Sequence, residues 1–243
     1  MQCWGISDSG CIRTQNQDAY QIEVLDRNTL LCVVCDGMGG AKSGNVASTL
    51  AVDVFVQEVK RTWTTGMDPE KADQMLENAV KLTNFTVHDQ AQQFEEFAGM
   101  GTTLVATLIH GKFATIVNIG DSRAYSVKAD GVRQLTTDHS LVQMMVARGE
   151  LTPERARNYP GKNFITRAIG TEPTVECDIS HRRLVNGECL LLCTDGLSNL
   201  LDEQEILFEV VHGSNQESSC ERLLEIAKNR GAPDNVTCVL IQI

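Results

Sequence analysis

Residues 30–44, LLCVVCDGMGGAKSG, give the clearest indication of the fold. The first six of these residues are apolar without a break. A strand with one face in water alternates apolar and polar side chains, whereas an uninterrupted apolar strand is covered on both faces. Residues 114–119, 189–193 and 236–241 are also largely apolar. We therefore expect sheets that are packed on both sides.

Short turns separate several of the predicted strands, which indicates hairpins and antiparallel sheets. Segments with helical periodicity come in pairs along the chain. Two antiparallel sheets packed face to face, with a helix pair outside each, satisfy both patterns. The predicted fold class is therefore α+β, a four-layer α-β-β-α sandwich, with residues 1–243 as a single domain. The predicted strands are residues 19–25, 30–35, 102–110, 112–119, 123–127, 132–135, 164–169, 175–183, 188–194 and 236–243. The predicted helices are 45–62, 69–96, 202–212 and 217–229, and residues 139–158 are predicted to be helical with a break at Gly149 and a new start at Thr152-Pro153.

Charge and composition exclude several classes of protein. There are 21 Lys and Arg against 32 Asp and Glu, a net charge of −11, which argues against a nucleic-acid binder because such a protein needs a basic surface. No apolar run approaches the ~18 residues of a membrane helix, and the N-terminus does not resemble a signal peptide. We therefore expect a cytoplasmic monomer whose nine cysteines are reduced. Cys32 and Cys35 would point to opposite faces of one strand, so we do not expect them to share a metal.

Aspartates recur where the apolar strands begin or end: Asp18, Asp36, Asp121, Asp195 and Asp234. A hairpin would place Asp18 beside Asp36, and antiparallel pairing would place Asp195 beside Asp234. A single aspartate at a strand end is usually a turn residue, but clustered carboxylates repel one another and raise one another's pKa. A hard divalent cation removes that cost, and oxygen-only ligands favour Mg²⁺ or Mn²⁺ over zinc. The five histidines show no ligand spacing.

Arg13 lies five residues before Asp18. A lone arginine is most often a solvated surface residue. Beside a metal cluster it would be well suited to bind a phosphate group, because a guanidinium matches two phosphoryl oxygens. Both interpretations remain open at this point.

Six short motifs occur in order along the chain, and together they resemble the metal-dependent protein phosphatases of type 2C, the PPM family. The overall length is similar to that of its bacterial serine/threonine phosphatases. This resemblance implies the same α-β-β-α sandwich and a centre of two Mn²⁺ or Mg²⁺ ions, with a third in some bacterial members. The motifs are residues 13–18 (RxxNQD), 34–40 (VCDGMGG), 99–103 (GMGTT), 119–123 (IGDSR), 193–197 (CTDGL) and 234–237 (DNVT).

The resemblance also implies a role for each matching residue. Asp36 would bridge both metals and the Gly37 carbonyl would bind one of them. Asp195 and Asp234 would bind the other metal. Asp18 would act through metal-bound water, and Asp121 together with Asp195 would hold the third metal. Arg13 would bind the phosphate. Residues 140–168 would form a mobile flap beside the site.

The activity that the resemblance implies is hydrolysis of phosphoserine and phosphothreonine in proteins. A water activated between two metals about 4 Å apart would attack phosphorus in line, without a phosphoenzyme. Some family members carry a histidine, proposed as the general acid, where this chain has Met38, so the proton donor is unassigned. The expected partners are a bacterial serine/threonine kinase and that kinase's targets.

Two other functions remain open. The chain could be a catalytically silent domain that binds metal or phosphopeptide, or a phosphomonoesterase for small molecules. The flap is locally basic. Its positive charge would attract anionic phosphoproteins, or its basic residues would only form a solvated helical face. Its basic residues are Arg148, Arg155, Arg157, Lys162 and Arg167.

Overall fold

The computed structural model of the chain describes residues 1–40, 43–156 and 159–243. Arg157, one of the basic residues expected in the flap, lies outside these ranges. The strands are β1 (Gln2–Asp8), β2 (Asp18–Asp26), β3 (Thr29–Met38), β4 (Gly101–Thr102), β5 (Leu104–His110), β6 (Phe113–Ile119), β7 (Arg123–Lys128), β8 (Gly131–Gln134), β9 (Asp178–Arg183), β10 (Cys189–Cys193) and β11 (Val236–Gln242). The α-helices are α1 (Gly44–Thr62), α2 (Pro69–Gln93), α3 (Leu141–Ala147), α4 (Pro153–Ala156), α5 (Asp195–Ser198), α6 (Glu203–His212) and α7 (Gln216–Asn229), and Glu95–Phe97 forms a 3₁₀ turn.

The strands form two antiparallel sheets. The first sheet has the order β1-β11-β10-β7-β8, and the second has the order β2-β3-β5-β6-β9, with β4 also paired to β3. Helices α1 and α2 cover the second sheet, where Val33 packs with Phe55. Helices α6 and α7 cover the first sheet, where Leu191 packs with Leu223. A third apolar layer separates the two sheets, so the predicted four-layer sandwich is confirmed.

Strand β3 shows why the decisive stretch is apolar throughout. Its residues 29–35 are all buried. Cys32 and Val34 face the layer between the sheets, while Val33 and Cys35 face α1 and α2. The two cysteines therefore lie on opposite faces of the strand, as the spacing predicted.

The helices cover the sheets because each buries one face. Helix α2 begins as predicted, with Asp68 at the N-cap accepting a hydrogen bond from the Glu70 amide and with Pro69 in the first turn. Its buried residues recur with helical spacing, among them Leu76 and Val87. Within the described ranges, we find no helix with the length and apolar content that a bilayer crossing requires.

Some predicted elements are wrong. The strand predicted at 164–169 is absent from the described segment, which forms only two isolated bridges, Ser140 to Ile165 and Thr102 to Ile169. The segment crosses two different parts of the chain and adds one pairing to each, so no ladder develops. By contrast, the helical segment predicted at 139–158, with a break at Gly149 and a new start at Thr152-Pro153, is confirmed over the described residues. Helix α3 ends at Ala147, Gly149 adopts a positive φ of 72°, and α4 begins at Pro153. Strand β1 was not predicted.

Candidate metal centre

The strand register brings the predicted aspartates together in pairs. Asp18 and Asp36 are direct partners in the β2–β3 ladder. Strands β10 and β11 are antiparallel neighbours, and the amide of Thr194 donates to the carbonyl of Thr237 at 3.0 Å just beyond β10. Asp195 follows β10 and Asp234 precedes β11, so both belong to the same end of the first sheet.

Hydrogen bonds between the sheets join the two pairs at one end of the sandwich. The Thr194 hydroxyl donates to Asp18 Oδ2 at 2.9 Å, which links the first sheet to the second. The amide of Gln17 donates to Asn235 Oδ1 at 2.9 Å. Asn235 Nδ2 in turn donates to the carbonyls of Ser9 and Gln15. The loop before β2 and the loop before β11 are therefore fixed to each other beside the aspartates.

Two threonines hold the end of β3 in place. The amide of Asp36 donates to Thr103 Oγ1 at 2.8 Å, and the amide of Thr103 donates to the Asp36 carbonyl at 2.9 Å. That carbonyl also accepts from Thr102 Oγ1 at 2.8 Å. Thr103 Oγ1 lies 2.7 Å from Ser122 Oγ, next to Asp121. Sequence reasoning gave these threonines no role, although the GMGTT motif contains both.

Gly37 is required by close packing of the backbone. A Cβ atom at this position would lie 2.0 Å from the Gly44 carbonyl oxygen and 2.5 Å from that of Gln17. The Gly37 amide also donates to the Gln17 carbonyl at 3.0 Å. The absence of a side chain thus allows the start of α1 and the loop before β2 to approach the end of β3.

The five aspartates lie in a shared electrostatic field. Burial is the main reason why the pKa of Asp36 lies well above its usual value, and the charges of Asp18, Asp195, Asp121 and Asp234 raise it further. Burial also raises the pKa of Asp18 to about 7 and that of Asp121 to about 7. The pKa of Asp195 is raised by burial and by the charge of Asp234. The structure therefore brings together the aspartates that the sequence singled out.

These residues fit a hard divalent cation. Asp18 Oδ1 is buried and has no hydrogen-bond partner within the described part of the chain. A buried carboxylate without a counter-charge is costly, and a set of carboxylate and carbonyl oxygens is what Mg²⁺ or Mn²⁺ prefers. A bound cation would give Asp18 Oδ1 a partner and would lower the raised pKa values of the aspartates.

The ligand oxygens are not preassembled. Across residues 1–40, 43–156 and 159–243, no group of three or more Asp, Glu, His or Cys side chains could hold an ion as it stands. Two of the carboxylates are engaged elsewhere: Asp234 Oδ2 accepts from Arg13 Nη2 at 2.9 Å, and Asp195 Oδ2 accepts from Asn199 Nδ2 at 3.0 Å. Side-chain rotation can release these contacts, whereas the strand register fixes the backbone positions of Asp18 and Asp36.

The flap cations differ in their surroundings. Arg167 is held by Asp178 at 2.8 Å, so it is not the free cation that the sequence suggested. Lys162 is exposed, and its charge partly offsets the rise that burial causes in the pKa of Asp195. Lys162 is thus a flap cation that acts electrostatically on an aspartate of the cluster.

The sequence is similar to bacterial phosphatases over its whole length. The family model described as Protein phosphatase 2C matches residues 12–240. The chain is 35% identical over 237 residues to the serine/threonine phosphatase stp of Listeria innocua, covering 97% of this chain and 93% of that protein. It is also 35% identical over 239 residues to the protein phosphatase PhpP of Streptococcus pneumoniae, covering 98% and 96%.

Solved structures agree with these relatives. The serine/threonine phosphatase Stp1 of Staphylococcus aureus superimposes with a TM-score of 0.93 at 35% identity, covering 100% of this chain and 94% of that one. The serine/threonine phosphatase PstP/Ppp of Mycobacterium tuberculosis gives a TM-score of 0.88 at 33% identity, covering 100% and 98%. By sequence and by fold, the chain belongs to the protein phosphatase 2C family.

Proposed function

We propose that this chain is a protein serine/threonine phosphatase, which hydrolyses phosphoserine and phosphothreonine with two Mn²⁺ or Mg²⁺ ions. The observation that carries this proposal is the shared field of the five aspartates at the end of the sandwich where the two sheets meet. Membership of the protein phosphatase 2C family supports it. Residues 1–243 would act as one phosphatase domain, with residues 140–168 as its flap.

The ligand roles that we propose are those that the matching family motifs imply. Asp36 would bridge the two ions, and the Gly37 carbonyl would bind one of them. Asp195 and Asp234 would bind the other ion, and Asp18 would contribute through an intervening water. Asp121 together with Asp195 would hold a third ion, when one binds. These groups are all oxygen donors, which Mg²⁺ and Mn²⁺ prefer. The ions would supply activation of a water molecule and neutralisation of phosphate charge.

The chain's own residues would hold this arrangement and bind the substrate. Thr194 keeps Asp18 in place through the bond to Oδ2, and Thr103 keeps Asp36 in place through its amide. When Asp234 turns to a cation, Arg13 is freed to bind a phosphate group with its guanidinium. Met38 has no proton to give, so the leaving group would not be protonated from that side chain.

The proposed partners are phosphorylated proteins, among them a bacterial serine/threonine kinase and its targets. The bacterial relatives, which are named as protein or serine/threonine phosphatases, support phosphorylated proteins as the substrates. We further propose that the protein is cytoplasmic, which its nine free cysteines support because thiols stay reduced there, and that it acts as a monomer. Lys162 would help to attract the anionic substrate.

Removal and return of the metal tests the proposed function. Protein stripped with EDTA should release no phosphate from a phosphothreonine peptide, and Mn²⁺ should restore the activity. Asp36→Asn should lower the rate at least ~10²-fold by removing a metal ligand. Asp130→Asn is the matched control, because Asp130 lies in an exposed turn.

Each result separates the candidate functions. Full activity in EDTA would contradict the proposal. Mn²⁺ binding measured by calorimetry without hydrolysis of any phosphopeptide would favour the silent binding domain. Faster hydrolysis of sugar phosphates than of phosphopeptides would favour the small-molecule phosphomonoesterase.

A further inference from the structure

His139 lies at the base of the flap and contacts the turn that carries Asp121. Its ring is buried. The His139 amide donates to the Gly120 carbonyl at 2.8 Å, and the Gly120 amide donates to His139 Nδ1 at 3.1 Å. The two residues are therefore joined by reciprocal hydrogen bonds, and both backbone groups of Gly120 depend on His139.

The same turn is packed against the residue that holds Asp36. Gly120 has a positive φ of 100°, and a Cβ atom there would lie 2.6 Å from Thr103 Cγ2. Thr103 accepts from the Asp36 amide. A continuous set of contacts thus leads from His139 through Gly120 and Thr103 to Asp36.

The other side of His139 faces the flap and its return strand. Because Nδ1 accepts a hydrogen bond, the ring proton belongs on Nε2, which lies 3.2 Å from Asp178 Oδ2 and 3.2 Å from Arg167 Nη1. A guanidinium has no acceptor atom, so Asp178 is the group that accepts from Nε2. Arg167 donates to the other oxygen of Asp178 at 2.8 Å. The Thr166 amide donates to the His139 carbonyl at 2.7 Å. His139 is thus bonded to the flap through its backbone and to the start of β9 through its ring.

We propose that His139 is a positioning residue that fixes the Asp121 turn relative to the flap, so that its Nδ1 atom sets the orientation in which Asp121 receives a cation. This inference rests on the proposed function, which gives Asp121 its role as a ligand. It requires that the two ring nitrogens have separable effects: Nδ1 acts on Gly120, and Nε2 keeps the ring in the orientation that Nδ1 needs.

Two amide substitutions separate the ring nitrogens. The amide of His139→Asn reaches the Nδ1 position, whereas that of His139→Gln reaches the Nε2 position. In metal-free protein, hydrogen exchange of the Gly120 amide followed by NMR should accelerate about 10-fold in His139→Gln and much less in His139→Asn. The Mn²⁺ concentration for half-maximal phosphate release should rise about 5-fold or more in His139→Gln, and less in His139→Asn.

Two further variants complete the test. Asp178→Ala leaves His139 intact but removes the partner of Nε2, and it should also accelerate Gly120 exchange, by about 3-fold or more. His181→Asn is the control, since this half-exposed histidine of β9 pairs with Asp73 at 3.0 Å instead, and neither measurement should change.

Equal effects of the Asn and Gln substitutions, or unchanged Gly120 exchange in both His139→Gln and Asp178→Ala, would overturn the proposal. If the unaltered protein had no phosphatase activity, the proposed function would fail while the exchange experiment still tested the role of His139. A general loss of stability would lower the melting temperature of both histidine variants together, without the difference between them.

Discussion

At the scale of single residues, Arg13 forms an ion pair with an aspartate of the cluster. Its guanidinium lies 2.9 Å from Asp234, and both side chains are substantially exposed, at 52% and 38%. An exposed ion pair contributes little to stability, so the contact does not explain why an arginine stands here. If Asp234 bound a cation, Arg13 would lose Asp234 as its partner, and a phosphate group would take the place of Asp234.

Loss of Arg13 should therefore affect substrate binding more than stability. Arg13→Ala should raise the KM for p-nitrophenyl phosphate about 10-fold, because one charge-assisted contact to phosphate is lost. Arg13→Lys should recover only part of this, since an ammonium does not offer the guanidinium's two-pronged geometry. Steady-state kinetics at saturating Mn²⁺ measures both, with Arg27→Ala in the exposed β2–β3 turn as the control. An unchanged KM in Arg13→Ala would refute the role.

Two pairs of aspartates were predictable from the sequence, because strand pairing within each sheet brings the members of each pair together. A hairpin register is a local property, and it places Asp18 opposite Asp36. The supporting residues were not predictable in this way. Thr194 reaches Asp18 from the other sheet, and His139 reaches Gly120 from beyond the β7–β8 hairpin. Their roles depend on how distant segments meet, which short patterns do not encode.

At the scale of secondary-structure elements, the N-terminus of α2 depends on one side chain. Asp68 accepts from the Glu70 amide at 3.0 Å, which satisfies one of the free amides of the first turn. Local chemistry of this kind is complete within a few residues. The sequence therefore predicted this helix start correctly.

Removal of the cap should cost stability without changing catalysis. Asp68→Ala should lower the free energy of unfolding by about 1 kcal/mol, whereas Asp68→Asn should retain most of it because asparagine also caps helices. Urea unfolding followed by circular dichroism gives the difference. Phosphate release with Mn²⁺ should be the same in all three proteins, and a loss of activity in Asp68→Ala would show that α2 influences the site.

The wrong predictions at this scale concern segments whose structure depends on a distant partner. Strand β1 pairs with β11 from Gln2–Gln242 to Asp8–Val236, yet it contains polar residues and a glycine and has no fully buried position. Conversely, residues 164–169 have the composition of a strand, but their only β-bridges are the two isolated ones to Ser140 and Thr102. In both cases the decisive contact is far away along the chain.

At the scale of the whole molecule, the clustered carboxylates make stability depend on pH. The pKa values of Asp18 and Asp121 are raised to about 7 from an ordinary value of 3.8, mainly by burial. As the pH rises between these values, the unfolded chain loses its protons first. The unfolded state then binds fewer protons than the folded state, so stability falls with rising pH.

Metal-free protein should therefore melt at a lower temperature at pH 8 than at pH 5.5, and Mn²⁺ should remove or reverse this difference. Groups with lowered pKa, such as Glu205 at about 2, are ionised in both states throughout that range and do not contribute. Differential scanning calorimetry in EDTA and in Mn²⁺ measures the effect. Asp121→Asn should flatten the metal-free slope, and a melting temperature that rose from pH 5.5 to 8 would contradict the electrostatic account.

The division of the site between two sheets also has a consequence for synthesis. Strand β11 lies in the interior of the first sheet, between β1 and β10, although it follows every other strand in sequence. When Asp18 and Asp36 have been synthesised, the ribosome must still translate residues 234–242 before the part of the site on the first sheet can form. Nascent chains would therefore be unable to dephosphorylate neighbouring proteins during translation. The enzyme would become active only when β11 pairs with β1 and β10.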